Sequence, residues 1–294
     1  EDRTNFFLSA ILTYGAPPEK LGLLAYLTLI NASDSDLGKL ESMKGGAQEQ
    51  RLVGGSWRLS EKMAEGLSGK IRLSSPVLGL TGWNGELVEL RTASGVIRAR
   101  QVISAMSPSL CEKIAFSPPL PADRAAMHKA WPTNAKMRKV ALVYPRPFWR
   151  EEGFNGQVLD IGGPLLWSAD NSPPDASVGV LTGFVREGSL PTDPDKAKAM
   201  IAATFARAYG DAALAPTQYH EVDWGNIDEW SLSCTSPYPP GFLTRWGPAM
   251  REPLGRIIWS GTDMADRFAS SMDGAIRAGR RSALKALAAL STLK

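Results

Sequence analysis

The chain has 294 residues, of which 44% are hydrophobic and 21% are charged, and its 33 Lys and Arg against 30 Asp and Glu give a formal net charge of +3. This composition is typical of a globular protein and too hydrophobic for a disordered one, and the length suits about two domains or a single large one. The small net charge gives no indication of a nucleic acid as partner.

Cysteines and histidines are too few for a disulfide framework or a metal site. The chain contains only Cys111 and Cys234, with no CxxC pair, and only His128 and His220. The longest apolar stretch, residues 21–32, is shorter than the roughly 20 residues that span a bilayer. The first residues show no pattern of a signal peptide. We therefore expect a reduced, cytoplasmic protein with no metal and no membrane partner.

Apolar residues at helical spacing predict three helices in the first 70 residues, around 6–11, 23–30 and 56–69. Ser56 is the predicted cap of the third helix, and Gly69 is its predicted end. No long strand is expected before residue 70.

From residue 70 onward the pattern becomes strand-like. Asn84-Gly85 predicts a tight hairpin turn, because Asn-Gly suits positive φ angles. Asp193-Pro194 predicts the start of a helix that runs to about Tyr209, and a last helix is predicted over 272–290. The predicted strands are 71–73, 77–81, 87–91, 96–99, 102–105, 140–144, 156–160, 165–168, 178–185 and 256–260.

Strands, hairpins and helices thus follow one another in mixed order, which predicts an α/β or α+β fold and excludes a purely doubly wound parallel sheet. The chain contains no GxGxxG dinucleotide fingerprint, and no GxSxG, HExxH or P-loop motif.

One segment carries the clearest chemical signal. A predicted strand runs into Gly261-Thr262-Asp263, and a helix follows that Ser271 caps. The start of a helix presents unpaired N–H groups and partial positive charge, and Gly274 permits close approach by a backbone or a flat ring. These residues alone leave two interpretations open, a site for a polar or anionic ligand and a plain capped helix.

A second segment is rich in aromatic residues and proline. Trp224 and the turn Pro239-Pro240-Gly241 are suited to lining a dry pocket. The other interpretation is that Trp224 and Trp230 are core aromatics.

Together the two segments resemble the C-terminal part of the flavin-dependent monoamine oxidases, the flavin amine oxidoreductase family. The resemblance spans about residues 5–288. It includes further ordered motifs at 45–55, 102–108, 116–121 and 147–150.

The resemblance implies a truncated two-domain flavin amine oxidase fold. Residues 47–128 and 227–288 would form a partial FAD-binding domain. Residues 1–46 and 129–226 would form a substrate-binding domain with a mixed, largely antiparallel sheet.

Roles for individual residues follow from the same resemblance. Lys139, eight residues before Pro147, would hold a water at flavin N5. Its other interpretation is an ordinary exposed strand lysine, which the nearby basic residues Lys136 and Arg138 favour. Gln48 would line the substrate cavity. The implied cofactor-binding residues are Val77 at the adenine end, Trp224 against the isoalloxazine, Gly261, Thr262 and Asp263 at the ribityl and phosphate groups, and Ser271 and Met272 at the pyrimidine edge.

This sequence departs from the family pattern at three places. The two substrate-binding positions of the aromatic cage hold Cys234 and Ser271, so a simple arylalkylamine substrate is in doubt. The position at which some relatives link FAD covalently holds Ser233, which implies non-covalent FAD, while the adjacent Cys234 leaves a covalent link as the less favoured alternative. The N-terminal GxGxxG unit is missing, so the chain is either a fragment or one subunit beside a separate N-terminal FAD-binding chain, and alone it should bind FAD poorly.

The implied activity is oxidation of an amine C–N bond to an imine by hydride transfer to flavin N5, with O2 reoxidation giving H2O2. No protein base is assigned. An amino-acid or polyamine oxidase is one alternative, although the sequence does not place Arg51, Glu41 or Asp228 in the cavity. A non-catalytic subunit or fragment without flavin is another. The expected partners are a small-molecule amine, O2 and a second copy in a homodimer, with no nucleic acid.

Overall fold

The computed structural model describes residues 14–32, 36, 38–42, 45–47, 49–133, 137–160, 162–186, 188–231 and 235–292. The helix predicted around residues 6–11 lies outside the described residues, as do the predicted substrate-binding residues Gln48 and Cys234.

Helices and strands alternate along the chain in mixed order. The α-helices are α1 (Leu23–Ala32), α2 (Gly38–Glu41), α3 (Trp57–Glu65), α4 (Ala122–Lys129), α5 (Phe148–Glu151), α6 (Pro194–Tyr209), α7 (Trp224–Ile227), α8 (Phe242–Trp246) and α9 (Met272–Ser291). The strands are β1 (Val77–Thr81), β2 (Val88–Thr92), β3 (Gly95–Ala99), β4 (Val102–Ser104), β5 (Ala115–Ser117), β6 (Arg138–Tyr144), β7 (Leu165–Asp170), β8 (Gly179–Val185), β9 (Gln218–Val222) and β10 (Ile257–Trp259). Short 3-10 helices lie at Pro18–Lys20, Pro108–Lys113, Asp211–Leu214 and Thr262–Met264. Within the described ranges, none of the helices combines the length and the hydrophobicity of a bilayer-spanning segment.

The chain divides into two compact units. Unit 1 comprises Glu1–Leu21 and Thr133–Pro237, and unit 2 comprises Gly22–Pro132 and Tyr238–Lys294. These units are defined by backbone proximity, whereas the predicted FAD-binding and substrate-binding domains are defined by function. The predicted domains stay a prediction.

Unit 1 contains a four-stranded antiparallel sheet in the order β7-β8-β6-β9. Buried and half-buried residues alternate along β8, which is typical of a sheet with one packed face and one open face. On the packed face, Leu142 pairs with Leu181, and both share a core with Ile201 and Phe205 of α6. Burial of each such side chain contributes about 1.5–3 kcal/mol, so this core fixes the strands that carry the open face.

Helix α6 begins and ends where the sequence predicts. The Asp193 carboxylate accepts hydrogen bonds from the amides of Asp195 and Lys196, at 3.0 and 3.3 Å. The helix ends at Tyr209, and the next residue, Gly210, has a φ of +80°. Both predicted ends are confirmed.

Unit 2 contains a second sheet, in the order β3-β2-β1-β5. The predicted hairpin joins β1 and β2, but its turn differs from the prediction. Gly82, not Asn84-Gly85, has the positive φ, at +72°, and it accepts a 3.0 Å hydrogen bond from the Gly85 amide. The reason is the burial of Trp83, whose indole donates to the Pro118 carbonyl at 2.7 Å and fixes the turn ahead of Asn-Gly.

Strands β4 and β10 form a parallel pair in unit 2, and α9 packs against them. The buried stripe of α9 recurs every four residues at Gly274, Ala278, Ser282 and Ala286. A Cβ at Gly274 would overlap the carbonyl oxygen of Phe268. Close approach at this glycine is therefore confirmed, and the group that approaches is a backbone.

Two predicted strands are wrong, because neither finds a partner strand. Residues 71–73 are not in a strand, and the side chains of Ile71 and Leu73 are exposed. Residues 156–160 are joined to β7 at the single residue Ser168 and not by a strand ladder. The Ser168 amide donates to the Val158 carbonyl at 3.0 Å, and its hydroxyl accepts from the Val158 amide and donates to the Gly156 carbonyl.

The predicted helix over 56–69 forms only in its first part. Helix α3 ends at Glu65, before Gly66 and not at Gly69. Ser56 has helical dihedral angles, φ −66° and ψ −22°, and its side chain makes no capping hydrogen bond. The cap prediction is wrong because a capping residue needs an extended backbone to reach the amides of the first turn.

Candidate functional site

The backbone turns sharply where the parallel pair of unit 2 ends. The Ser260 amide donates to the Ser104 carbonyl at 2.7 Å, which continues the pairing beyond β10. Gly261 follows with a φ of +90°, and a Cβ there would lie 3.0 Å from the Ala105 carbonyl oxygen. Gly261 thus lets the carboxyl ends of two parallel strands lie side by side, and ligands of open α/β sheets bind at such ends.

A threonine hydroxyl ties this turn to the start of α9. Thr262 Oγ1 accepts a hydrogen bond from the Ser271 amide and donates to the Ser271 carbonyl, each at 3.0 Å. Ser271 Oγ in turn accepts from the Gly274 amide at 3.1 Å and donates to the Phe268 carbonyl at 2.6 Å. The Gly261–Thr262 turn and the helix start therefore form a single hydrogen-bonded unit, and the predicted cap at Ser271 is confirmed.

Two amides remain available at the start of α9. Within the described ranges, the N–H groups of Met272 and Asp273 have no acceptor, and the Met272 residue is 55% exposed. The Asp273 side chain is paired with Arg277 at 2.6 Å. The first turn of a 20-residue helix thus presents open donors and a positive dipole end, which suit the acceptor-rich edge of a ligand.

Two arginines that the sequence analysis missed hold the loop after the turn. Arg251 Nε and Arg281 Nη2 donate to the same carbonyl, that of Met264, at 3.0 and 2.6 Å. Burial, and then the nearby Arg251, lower the pKa of Arg281 from its ordinary value. No sequence pattern distinguishes these residues from the other arginines of the chain.

Behind β10 lies a buried histidine. His128 is 2% exposed, its ring lies edge-on to Trp259 at 5.1 Å between centroids, and neither ring nitrogen has a partner among the described residues. Burial and then the charge of Arg124 lower its pKa to about 4, so the ring is neutral at pH 7. The described part of the chain holds no group of three or more His, Cys, Asp or Glu arranged for a metal ion.

Lys139 lies on the open face of the sheet in unit 1. It pairs with Phe184 of β8, and its Nζ is 5.2 Å from the centre of that ring. Trp167 in turn stacks on the Phe184 ring, with 6.2 Å between the two ring centroids and 23° between the ring planes. The ammonium group therefore lies beside an aromatic pair, which the sequence analysis did not single out because strand aromatics are common.

Trp224 opens α7 in the same unit. Trp224 is 52% exposed, so its interpretation as a core aromatic is wrong. On β9, Val222 pairs with Lys139, and Trp224 follows two residues later. A large, flat and exposed indole at this point is suited to stacking on a planar ligand.

The predicted site residues are distributed over the two units. Unit 1 holds Lys139 and Trp224, whereas unit 2 holds Val77, Gly261, Thr262, Asp263, Ser271 and Met272. In unit 2, hydrogen bonds join Thr262 to Ser271, while Val77 begins β1 in the other sheet and pairs with Thr92. The cofactor roles of these residues stay predictions.

Comparison with known proteins decides the family. The model of the flavin-containing amine oxidoreductases matches residues 19–287. The chain belongs to this family. The resemblance inferred from the sequence is thereby confirmed.

Relatives of this flavin amine oxidoreductase extend the match. The protein AofH of Mycobacterium tuberculosis, named as a flavin-containing monoamine oxidase, is 32% identical over 95% of the chain. Cyclohexylamine oxidase of Brevibacterium oxydans IH-35A superposes with a TM-score of 0.87 at 27% identity, and wild-type putrescine oxidase bound to putrescine superposes with 0.85 at 27% identity. Each of these two structures covers 98% of the chain. The predicted fold class, a partial flavin amine oxidase fold with mixed sheets, is confirmed.

The relatives are longer than this chain. The chain spans 61% of the length of AofH, 64% of cyclohexylamine oxidase and 65% of putrescine oxidase. Family membership is therefore established for the matched part of the chain, residues 19–287.

Proposed function

We propose that this chain supplies a large part of an FAD-dependent amine oxidase that converts an amine C–N bond to an imine, with O2 as the final electron acceptor and H2O2 as product. The observation that carries the proposal is the hydrogen-bonded unit of Thr262 and Ser271, which holds open helix amides at the carboxyl ends of two parallel strands. Membership in the flavin-containing amine oxidoreductase family supports it.

The residues of unit 2 have the chemistry that FAD requires. The open amides of Met272 and Asp273 would donate to the polar edge of the ring, and the helix dipole would stabilise negative charge that develops there. The Gly261-Thr262-Asp263 turn would hold the ribityl and phosphate groups, and Val77 would meet the adenine end. Ser233 stands at the linkage position of covalent relatives, so we propose non-covalent FAD.

For Trp224 and Lys139 we propose the flavin contacts that the family resemblance implies. A bound flavin would supply the redox chemistry, taking up the hydride equivalent of the amine and returning the electrons to O2. Trp224 would pack its exposed indole on the isoalloxazine. Lys139 would hold a water molecule through its ammonium group, next to the Phe184 ring.

For the substrate we propose a small aliphatic amine or diamine. The cage positions hold Cys234 and Ser271, which cannot enclose an amine between two aromatic faces. The structural similarity to cyclohexylamine oxidase and putrescine oxidase supports this choice. Gln48 and Cys234 would line the cavity, and the desolvated cavity would favour the neutral amine.

We further propose that FAD binding needs residues beyond this chain. Helix α9 turns large apolar side chains outward, since Ile276, Leu284 and Leu287 are 53%, 60% and 64% exposed. On the neighbouring strand, Ile103 is 42% exposed. Exposed apolar side chains on one helix are typical of a face that another element covers. A dinucleotide-binding unit, fused or supplied as a separate chain, is the partner we propose for this face.

The cytoplasmic location and the homodimer expected from the sequence stay predictions. So does the alternative of a non-catalytic subunit without flavin. The test that separates these functions uses a completed protein, in which this chain is joined to the part of cyclohexylamine oxidase that it does not match.

In that completed protein, addition of an aliphatic amine without O2 should bleach the visible flavin band, and admission of air should restore it with formation of H2O2. A flavin band that no amine bleaches would leave the chain as a flavin-binding relative without oxidase activity. A folded protein that takes up no flavin would support the non-catalytic alternative.

A further inference from the structure

An arginine and two carboxylates meet where β6 and β9 end in unit 1. Arg138 Nε lies 3.2 Å from Asp223 Oδ2, and Arg138 Nη1 lies 3.5 Å from Glu221 Oε1. The three side chains are 22%, 18% and 25% exposed, so the group is largely withdrawn from water. Charge-assisted hydrogen bonds of this kind are stronger than neutral ones and orient both partners.

Further hydrogen bonds fix both carboxylates. The Tyr219 hydroxyl donates to Glu221 Oε2 at 2.6 Å, and the Asn226 side chain donates to Asp223 Oδ2 at 2.8 Å. Arg138 Nη1 also donates to the Pro191 carbonyl at 3.4 Å. The cluster therefore links β6, β9 and α7 through side chains.

Helix α7 needs such support. It has four residues, Trp224–Ile227, and none of them is buried. One helical turn is unstable by itself because nucleation fixes several residues for a single hydrogen bond. Trp224 and Ile227 are 52% and 65% exposed, so contacts of their side chains with the core do not hold the turn. The amides of Asn226 and Ile227 donate to the carbonyl of Asp223, which makes Asp223 the anchor of the turn.

We propose that Arg138 is a positioning residue that, through Asp223, fixes the backbone from which Trp224 presents its indole. Asp223 directly precedes Trp224, and its carboxylate is held by Arg138 from the neighbouring strand. Lys139 follows Arg138 on β6, and its strand partner Val222 directly precedes Asp223. This inference rests on the proposed function, because only there does the orientation of Trp224 serve a cofactor.

A second ion pair of unit 1 provides a matched control. Arg207 Nη2 lies 3.2 Å from Asp160 Oδ1, and the Asp160 side chain is 14% exposed. One oxygen of each aspartate, Oδ2 of Asp160 and Oδ1 of Asp223, is buried without a partner among the described residues. The two pairs are alike in length and in the burial of the aspartate, although Arg207 is 62% exposed, and only the Arg138 pair adjoins Trp224.

The experiment follows the Trp224 indole directly in the 294-residue chain. Incorporated 5-fluorotryptophan gives a separate 19F signal for each of the nine tryptophans, and the signal that Trp224→Phe removes is that of residue 224. In Arg138→Met we expect the chemical shift of this signal to move to the value of a mobile, solvent-exposed indole. Arg138→Lys should shift it only in part, and Arg207→Met should leave it unchanged.

An unchanged Trp224 signal in folded Arg138→Met would overturn the inference. If that variant does not fold, Asp223→Asn, which keeps the size of the side chain and removes its charge, is judged by the same signal and the same criterion.

A second measurement separates this inference from the proposed function. In the completed protein, Arg138→Met should weaken FAD binding about tenfold, as expected for loss of a charge-assisted contact that orders a stacking residue, while Arg207→Met stays within about twofold. If the completed wild type binds no FAD, the proposed function fails and the 19F result still decides the positioning role. If FAD binds equally to wild type and Arg138→Met, only the positioning role is overturned.

Discussion

The hydroxyl of Thr262 lies 3.0 Å from both the amide nitrogen and the carbonyl oxygen of Ser271. One side chain thereby closes the loop between the turn after β10 and Ser271, the cap of α9. The orientation of the open amides at Met272 and Asp273 depends on this closure. The two arginines hold the same loop at the carbonyls of Met264 and Ala265.

Replacement of Thr262 by valine should release the helix start without changing the volume of the side chain. We expect Thr262→Val to weaken FAD binding by the completed protein about tenfold, which corresponds to about 1.4 kcal/mol, the net contribution of one or two hydrogen bonds. Thr262→Ser, which keeps the hydroxyl, should bind nearly as wild type. Titration with FAD measures both. Equal affinity of the valine variant and the control Thr217→Val, which loses only a hydrogen bond to the Val143 carbonyl, would contradict the role of Thr262.

Loss of the helix cap should show in the stability of the chain. Ser271→Ala removes the oxygen that accepts from the Gly274 amide, and we expect it to lower the free energy of unfolding by about 1 kcal/mol. Ser291→Ala, at the other end of α9, removes a hydroxyl that donates to the Ala288 carbonyl and should cost much less. Urea unfolding of the two variants compares them, and an equal loss would show that Ser271 is no stronger a cap than a terminal serine.

His128 should make the chain sensitive to acid. In the folded state the pKa of His128 is about 4, below its ordinary value of 6.5. Between pH 4 and pH 6.5 the imidazole is therefore protonated in the unfolded state and neutral in the folded state. The stability that the neutral ring contributes is therefore present above pH 6.5 and is lost as the pH falls toward 4, by up to about 3 kcal/mol.

The measurement is urea unfolding at several values between pH 4 and pH 7. His128→Phe keeps an aromatic ring against Trp259 and should remove most of this pH dependence. His220→Phe, at an exposed position on β9, should retain it. A steep acid loss that persists in His128→Phe would mean that other groups cause it.

Lys139 should affect only the reaction with O2. In the completed protein, we expect Lys139→Met to leave reduction by amine without O2 within about twofold of wild type and to slow reoxidation at least about tenfold, because the positive charge that holds water at the ring is lost. Stopped-flow absorbance separates the two steps. Lys196→Met, a surface lysine of α6, is the control. If Lys139→Met reoxidises as fast as the control, Lys139 is an ordinary strand lysine with no role in the reaction with O2.

Local rules of sequence predicted the elements whose stability is local. Asp193-Pro194 predicted the start of α6, and Ser271 predicted the start of α9, because a cap and the amides that donate to it lie within three residues of each other. Strand 140–144 was predicted because it is a short apolar run with valine and tyrosine, which favour strands. The resemblance to the family then supplied the proposed cofactor residues, which no local rule provides.

The failures come from interactions between distant residues. The turn at Gly82 is fixed by the burial of Trp83 against Pro118, and residues 156–160 bond to Ser168 from another strand. Arg251 and Arg281 are 30 positions apart in the sequence, yet both donate to the Met264 carbonyl. The pairing of Arg138 with Asp223 also depends on strand register, which a single sequence does not reveal.

The central claim is that this chain carries the residues that hold FAD in an amine oxidase, and the flavin content of the completed protein tests it most directly. We predict about one FAD per polypeptide, released intact by denaturation because the link is non-covalent, with a clearly reduced content in Thr262→Val and Ser271→Ala. A completed protein that is folded and remains colourless after incubation with excess FAD would contradict the account.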